Sequence, residues 1–281
     1  MTIFEAYKQA VERLENKESD EISVRILLCA NNNLPTMTSF YVHKNDEVKD
    51  LDKFRQQFSR FLTGEPVQYI LNSADFLGLN LYVDNRVLIP RQESEEVATQ
   101  AFLRASKMYG DKVINIADIC CGSGCLGIYL AKKLKSRYVF FSDISKDAID
   151  VAEQNAKNLD VIGNFYEGNA LDELVKAGAK IDLLISNPPY ILNKDEVARS
   201  VLENEPHIAL FADENLSVYR DIFANLEKVK NDNGILAVFE IGHDLKEKLI
   251  KLIYEILPQC TYCFAKDING KERILVIHLE A

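Results

Sequence analysis

From about residue 113 onward the chain alternates short apolar runs with amphipathic helical stretches, and few folds are open to such a pattern. Residues 113–119 read as a strand and 125–134 as the helix after it. Strand 138–141 then precedes helix 146–158, and 162–166 and 181–185 are further short strands. Helix 216–229, strand 235–241, helix 245–257 and two last strands near 260–264 and 273–279 complete the run. Strands joined through helices pair in parallel, because each crossover returns the chain to run in the same direction. The expected domain is therefore α/β, a doubly wound, mostly parallel, Rossmann-like sheet that takes ligands at the carboxyl ends of its strands.

The segment before it has a different character. Leu51, Phe54, Phe58, Phe61 and Leu62 recur at helical spacing, with Gly64 as a stop, and Ile22, Ile26 and Leu27 mark an earlier helix. Residues 1–72 form a small helical domain on this reading, without a nucleophile–base pair or a ligand cluster. Residues 73–92 read as a β-hairpin linker: Phe76, Leu79, Leu81, Val83, Val87 and Ile89 flank Asp84-Asn85, the expected turn. Residues 93–281, opening on an acidic helix start, form the α/β domain.

The join between the first strand and helix of that sheet is Asp118-Ile-Cys-Cys-Gly122-Ser123-Gly124-Cys-Leu-Gly127, a G-x-G-x-x-G loop, and Asp143 ends the next strand. The pattern fits NAD and fits S-adenosyl-L-methionine. Asp118 and Asp143 suit a ligand with an ammonium group and a ribose better than a diphosphate. Asn169, after the third strand, stands where an adenine amino group would be met.

The strand at 181–185 ends in Asn187-Pro188-Pro189-Tyr190. Two prolines stiffen the chain and remove two backbone donors, and the residue before a proline is driven out of the helical region. A rigid strand end thus offers an Asn amide, carbonyls and an aromatic ring, an acceptor-rich site for an NH2 group on an sp2 carbon. Adenine and glutamine both carry such a group.

Composition narrows the partners. Asp plus Glu number 43 against 33 Lys plus Arg, a net charge of −10, which argues against affinity for nucleic acid built on phosphate neutralisation. No run approaches the roughly 20 apolar residues of a membrane span, and the start lacks a signal-peptide pattern, so a cytoplasmic protein is expected. Six cysteines form no disulfide framework, and Cys260 and Cys263, without a second pair, are not read as a zinc site.

With the Gly loop, Asp143 and Asn187-Pro188-Pro189-Tyr190 in order, the chain resembles class I S-adenosylmethionine-dependent methyltransferases, and more narrowly the bacterial release factor glutamine methyltransferases. Gly64-Glu65-Pro66-Val67-Gln68-Tyr69-Ile70, Leu88-Ile89-Pro90-Arg91 with Glu93, and Glu205-Pro206 with Ala209-Leu210 carry the likeness over essentially the whole chain. The resemblance implies methylation of the side-chain amide nitrogen of the Gln in the Gly-Gly-Gln motif of peptide chain release factors, with S-adenosyl-L-methionine as donor and no metal. It implies that Asp118, Gly122, Ser123, Gly124, Asp143, Asn169 and Asn187 hold the cofactor. Asn187 and the Pro188 carbonyl would accept the amide N–H bonds, with Pro189 and Tyr190 shaping the substrate site and Arg91 and Glu93 facing the substrate. The helical domain would dock the release factor, and a monomer is expected. The chain departs from the family pattern at Cys121, Gln92, Ser94 and Asn169. Two other readings stay open: an adenine-N6 methyltransferase of nucleic acid, and a catalytically idle fold kept as an interaction module.

Overall fold

A computed structural model describes residues 1–14 and 17–281 and divides them into two compact units, Met1–Ser73 with Arg199–Asn204, and Ala74–Ala198 with Glu205–Ala281. In the first unit α1 (Ile3–Val11) starts on a capping box, in which Thr2 Oγ1 accepts from the Glu5 N–H and Glu5 accepts from the Thr2 N–H. It is followed by α2 (Lys17–Asn32), α3 (Met37–Val42), α4 (Leu51–Leu62) and α5 (Val67–Leu71). Their apolar faces close on one core containing Ile3, Leu27, Leu28, Phe40, Phe54 and Phe58. Gly64, at φ 92°, follows α4 as the spacing predicts.

The second unit opens on a hairpin, β1 (Ala74–Phe76) and β2 (Leu79–Leu81). The expected turn at Asp84-Asn85 is displaced: the chain reverses at Leu77-Gly78, where φ is 48° and 80°, the primed geometry that two-residue hairpins require. Asp84 instead ties down the following loop, accepting from the Arg86 N–H at 3.0 Å, the Arg86 guanidinium at 2.7 Å and the Tyr82 hydroxyl at 2.9 Å. An Asp side chain satisfied this way marks a local turn as legibly as one between strands.

After α6 (Gln92–Tyr109) come β3 (Ile114–Ile119), α7 (Cys125–Lys133), β4 (Ser136–Asp143), α8 (Lys146–Asn158), β5 (Gly163–Glu167), α9 (Asp172–Lys176) and β6 (Leu183–Ser186). The short α10 (Arg199–Asn204) groups with the first unit, and α11 (Ser217–Val229), β7 (Ile235–Glu240), α12 (Lys246–Ile256), β8 (Thr261–Lys266) and β9 (Glu272–Leu279) complete the second. The sheet order is β5-β4-β3-β6-β7-β9-β8, parallel from β5 to β7 and antiparallel at β9 and β8. Strand alternation feeds two cores. Ala117, Ile119, Ala237 and Phe239 pack with α9, α11 and α12, while Ile116, Leu236 and Val238 pack with α6, α7 and α8.

This order positions the site. The winding reverses between β3 and β6, whose register sets Ile119 beside Ser186 and Ile119 beside Ser142 of β4. The glycine loop, the Asn-Pro-Pro-Tyr segment and the end of β4 therefore leave the sheet next to one another, at the crevice where doubly wound folds bind ligands.

Candidate active site

The carboxyl ends of β3, β4 and β6 open into a cleft of about 210 Å³. Gly122, Ser123, Asp143, Asn169, Asn187, Pro189 and Arg91 all line it, so a set scattered over almost 100 positions meets in one wall. Asp118, Gly124, Glu93, Pro188 and Tyr190 are not part of that wall.

The loop's own hydrogen bonds say what it can hold. Gly122 and Gly124 adopt φ of 51° and 77°, in the left-handed region. The Gly122 N–H donates to Asp143 Oδ2 at 2.9 Å and the Gly127 N–H to Asp118 Oδ2 at 2.8 Å. The Cys121 N–H is taken by the Ser142 carbonyl and the Gly124 N–H by the Cys121 carbonyl. Four of the loop's amides are thus engaged within the protein itself. The two guanidiniums in the wall are also engaged, Arg86 by Asp84 and Arg91 by Glu205. Neither guanidinium stands free for a diphosphate, which weighs against the NAD reading.

The site is built for positive charge. Asp118 is fully buried behind the loop, so its expected direct contact with the ligand is not what the fold provides. One carboxyl oxygen, Oδ1, has no hydrogen-bond partner, and burial pushes the group well above the ordinary carboxylate range, against the pull of the Gly127 N–H. Asp143 is raised by burial too, opposed by the N–H groups of Ser145, Gly122 and Ile144. Asp143 in the cleft wall, with Asp118 buried behind the loop, fits a cationic nucleoside such as S-adenosyl-L-methionine, with its sulfonium and ammonium groups and no phosphate.

Asp118 yields a stability prediction whose sign is fixed. A carboxyl raised on folding stabilises the fold fully below its unfolded pKa, and that contribution is lost as pH climbs through the folded value. Asp118→Asn keeps the acceptor for Gly127 but cannot ionise. Denaturant titrations from pH 4 to 8 should show the variant gaining on the wild type as pH rises, by up to about 1.4 kcal/mol for each tenfold change in acidity between the unfolded and folded pKa, and no further above it. A pH-independent difference would mean that the carboxyl is not perturbed.

Asn169, the least familiar of the cofactor candidates, donates from Nδ2 to Asp221 Oδ2 of α11 at 2.8 Å. A carboxylate only accepts, so the amide nitrogen must face Asp221 and the oxygen is left to serve the cleft. An acceptor at this position suits an adenine amino group. The three cysteines that line the cleft, Cys120, Cys121 and Cys125, are buried or half-buried, and burial raises all three thiols; they are neutral and unsuited to nucleophilic work.

At the strand end, Asn187 Nδ2 lies 3.3 Å from Ser94 Oγ, Ser94 Oγ lies 2.5 Å from Glu240 Oε2, and the Tyr190 hydroxyl lies 3.1 Å from Glu240 Oε1. Tyr190 packs on the core beneath the loop, so its ring anchors the segment. Burial raises the Glu240 carboxyl while donation from Ser94 and Tyr190 and the charge of Arg273 pull it down. Arg91 pairs with Glu205, which also accepts from the Ile89 N–H, and this holds the turn that carries Arg91 into the cleft wall. Ser94, Asp221 and Glu240 were missed by sequence reasoning. Ser94 stands out in the sequence only as a departure from the family pattern, and Glu240 as a single carboxylate closing the apolar strand Ile235–Phe239.

Known proteins share this architecture. The methyltransferase small domain model matches residues 93–237 and the PrmC N-terminal domain model residues 5–71. The release factor glutamine methyltransferase of Bacillus cereus is 34% identical over 285 residues, 100% of both chains. That of Staphylococcus aureus is 40% identical over 245 residues, covering 85% of this chain and 86% of its own. The hMettl16 catalytic domain, solved in complex with MAT2A 3'UTR hairpin 6, superposes with a TM-score of 0.51 at 16% identity over 82% of each chain, a likeness of fold alone. Fold and site together define an S-adenosyl-L-methionine-dependent methyltransferase. Within that class, the chain belongs to the family of release factor glutamine methyltransferases. Among its described residues, no helix is long and apolar enough to cross a membrane.

Proposed function

We propose that the chain methylates the side-chain amide nitrogen of the Gln in the Gly-Gly-Gln motif of peptide chain release factors, in the cytoplasm and as a monomer. The observation that carries this reading is Asn187, set in the cleft wall at the end of β6 beside the glycine loop, with its amide nitrogen already bonded to Ser94. Bound S-adenosyl-L-methionine supplies an electrophilic methyl group on its sulfonium.

An amide nitrogen is a poor nucleophile because its lone pair is delocalised into the carbonyl. Asn187 Oδ1 and the Pro188 carbonyl would accept the two N–H bonds of the substrate amide and set the lone pair for attack on the methyl carbon. The N–C bond forms as the S–C bond breaks, the sulfur leaves as a neutral thioether, and the nitrogen gives its extra proton to water. The same two acceptors face the positive charge that grows on nitrogen, the preorganised electrostatic contribution. Holding the reacting groups in line lowers the barrier by as much as roughly 7–11 kcal/mol in favourable cases. Arg91 and Glu93 contact the peptide around the Gln, and the helical unit Met1–Ser73 docks the rest of the release factor.

The test incubates the purified protein with methyl-labelled S-adenosyl-L-methionine and a release factor, either wild type or with the motif Gln replaced. Label should enter the wild-type factor and be absent from the replacement. Transfer that survives the replacement, or label found on adenine in added nucleic acid, sinks the reading.

A further inference from the structure

We propose that Glu240 is a positioning residue that, through the hydroxyl of Ser94, holds the Asn187 amide in one flip with its oxygen turned to the cleft. This rests on the reading of Asn187 as the acceptor of the substrate amide and says what makes it one.

The direction of each hydrogen bond follows from proton counting. Glu240, 1% exposed, and Ser94, 3% exposed, are shielded from water. Both carboxyl oxygens of Glu240 take hydroxyl donors, Oε1 from Tyr190 and Oε2 from Ser94, and a serine hydroxyl carries one proton, so the Ser94 proton goes to Glu240 across 2.5 Å. What Ser94 then turns to Asn187 is a lone pair, and of the two ends of the amide only Nδ2 can donate to it, across 3.3 Å. The flipped amide would set Oδ1 against that lone pair, exchanging a hydrogen bond for a repulsion between two acceptors. Nδ2 is thereby held inside and Oδ1 is the group left for substrate. An unrestrained Asn would present donor and acceptor in turn, and the donor orientation repels the N–H bonds of the substrate.

The same carboxylate restrains the other end of the motif. Glu240 Oε1 accepts from the Tyr190 hydroxyl at 3.1 Å, and its main-chain carbonyl accepts from the Tyr219 hydroxyl of α11 at 2.8 Å. The residues on both sides of Pro188-Pro189 therefore hang on one side chain at the end of β7. The register makes this possible, since β7 lies directly beside β6 with Ser186 opposite Phe239.

The experiment compares Ser94→Ala, Ser94→Thr, Glu240→Gln and the Ser94→Ala/Glu240→Gln double variant, each checked by thermal denaturation, with release factor and labelled S-adenosyl-L-methionine. Ser94→Ala and Glu240→Gln should lower kcat by about 10–100-fold, the range expected of a misplaced reacting group, with KM for the release factor and the calorimetric affinity for the cofactor within about threefold. Ser94→Thr keeps the hydroxyl and should recover kcat to within about threefold of wild type. The double variant should be no worse than the weaker single one, because both break one link. The Asn187 side-chain NH2 signal, assigned through Asn187→Asp, should be protected from hydrogen exchange in the wild type and lose that protection in Ser94→Ala. A Ser94→Ala kcat within twofold of wild type, multiplying losses in the double variant, or unchanged exchange at Asn187 would each overturn the proposal. If the wild type labels no release factor, the substrate reading fails by itself and the exchange measurement alone decides the positioning.

Discussion

Asn187→Ala should lower kcat by about 10²–10³-fold, the usual cost of removing one preorganised group that faces transition-state charge. The affinity for S-adenosyl-L-methionine should stay within a few-fold. The asymmetry follows from the site. The cofactor side of the cleft that we propose is made by the glycine loop, Asp143 and Asn169, none of which hydrogen-bonds to Asn187. The substrate side depends on one acceptor amide. Truncation also frees Ser94, which keeps its bond to Glu240, so the fold has little to lose. Single-turnover transfer measures the chemical step, and calorimetry with cofactor alone measures binding. A variant that no longer binds cofactor would show that Asn187 supports the architecture of the cleft instead of the transfer.

Gly127→Ala should be the most damaging small substitution in the loop. A Cβ there would lie 2.7 Å from Phe141 Cε1 and 2.8 Å from Asp118 Cβ, distances that neither neighbour can relieve. Phe141 is fully buried on β4 and stacks on Phe165 at 4.9 Å, and Asp118 is fully buried on β3. The first turn of α7 must move away from the sheet and strain the Gly127–Asp118 hydrogen bond that seats the loop. Overpacking of this kind costs about 1–3 kcal/mol, or roughly 2–4 °C of Tm per kcal/mol in a domain of this size. Cofactor affinity should fall by about tenfold or more, since a 1.4 kcal/mol shift in the loop is already a factor of ten. Gly122→Ala is the control: φ there is 51° and nothing lies within 4 Å of the added carbon, so only backbone strain of about 1–2 kcal/mol opposes it. Equal losses of Tm for the two variants would mean that the packing of α7 on the sheet does not set the loop.

The parts of this protein legible from the chain are those that local chemistry controls. Helix α8 begins and ends where the periodicity predicts, at Lys146 and Asn158, because its amphipathic stripe and its Ser145 cap lie within one segment. Strand β4 runs from Ser136 to Asp143, two residues longer at each end than its apolar run, because pairing with β3 and β5 continues past the core. The hairpin shows the limit. Asp84-Asn85 and Leu77-Gly78 are both plausible turns by composition, and the choice falls to the pair that matches the twist of the strands. Asp118 shows another: its position before the loop suggests contact with ligand, yet the side chain is drawn behind the loop by the Gly127 N–H.

The amino-acid sequence by itself determined the alternation that forces a parallel sheet, the glycines that let the loop turn, and the stiff Asn-Pro-Pro-Tyr end that can grip a planar NH2. Each depends on residues a few positions apart, where sterics and backbone preference act. On the positioning we propose, the tertiary structure alone decided which atom of Asn187 meets the cleft. That choice passes through Ser94 and Glu240, partners 146 positions apart that meet only because α6 packs across the end of β7. A hydrogen bond is directional and short-ranged, so its donor and acceptor take their roles only once folding has brought them within about 3 Å.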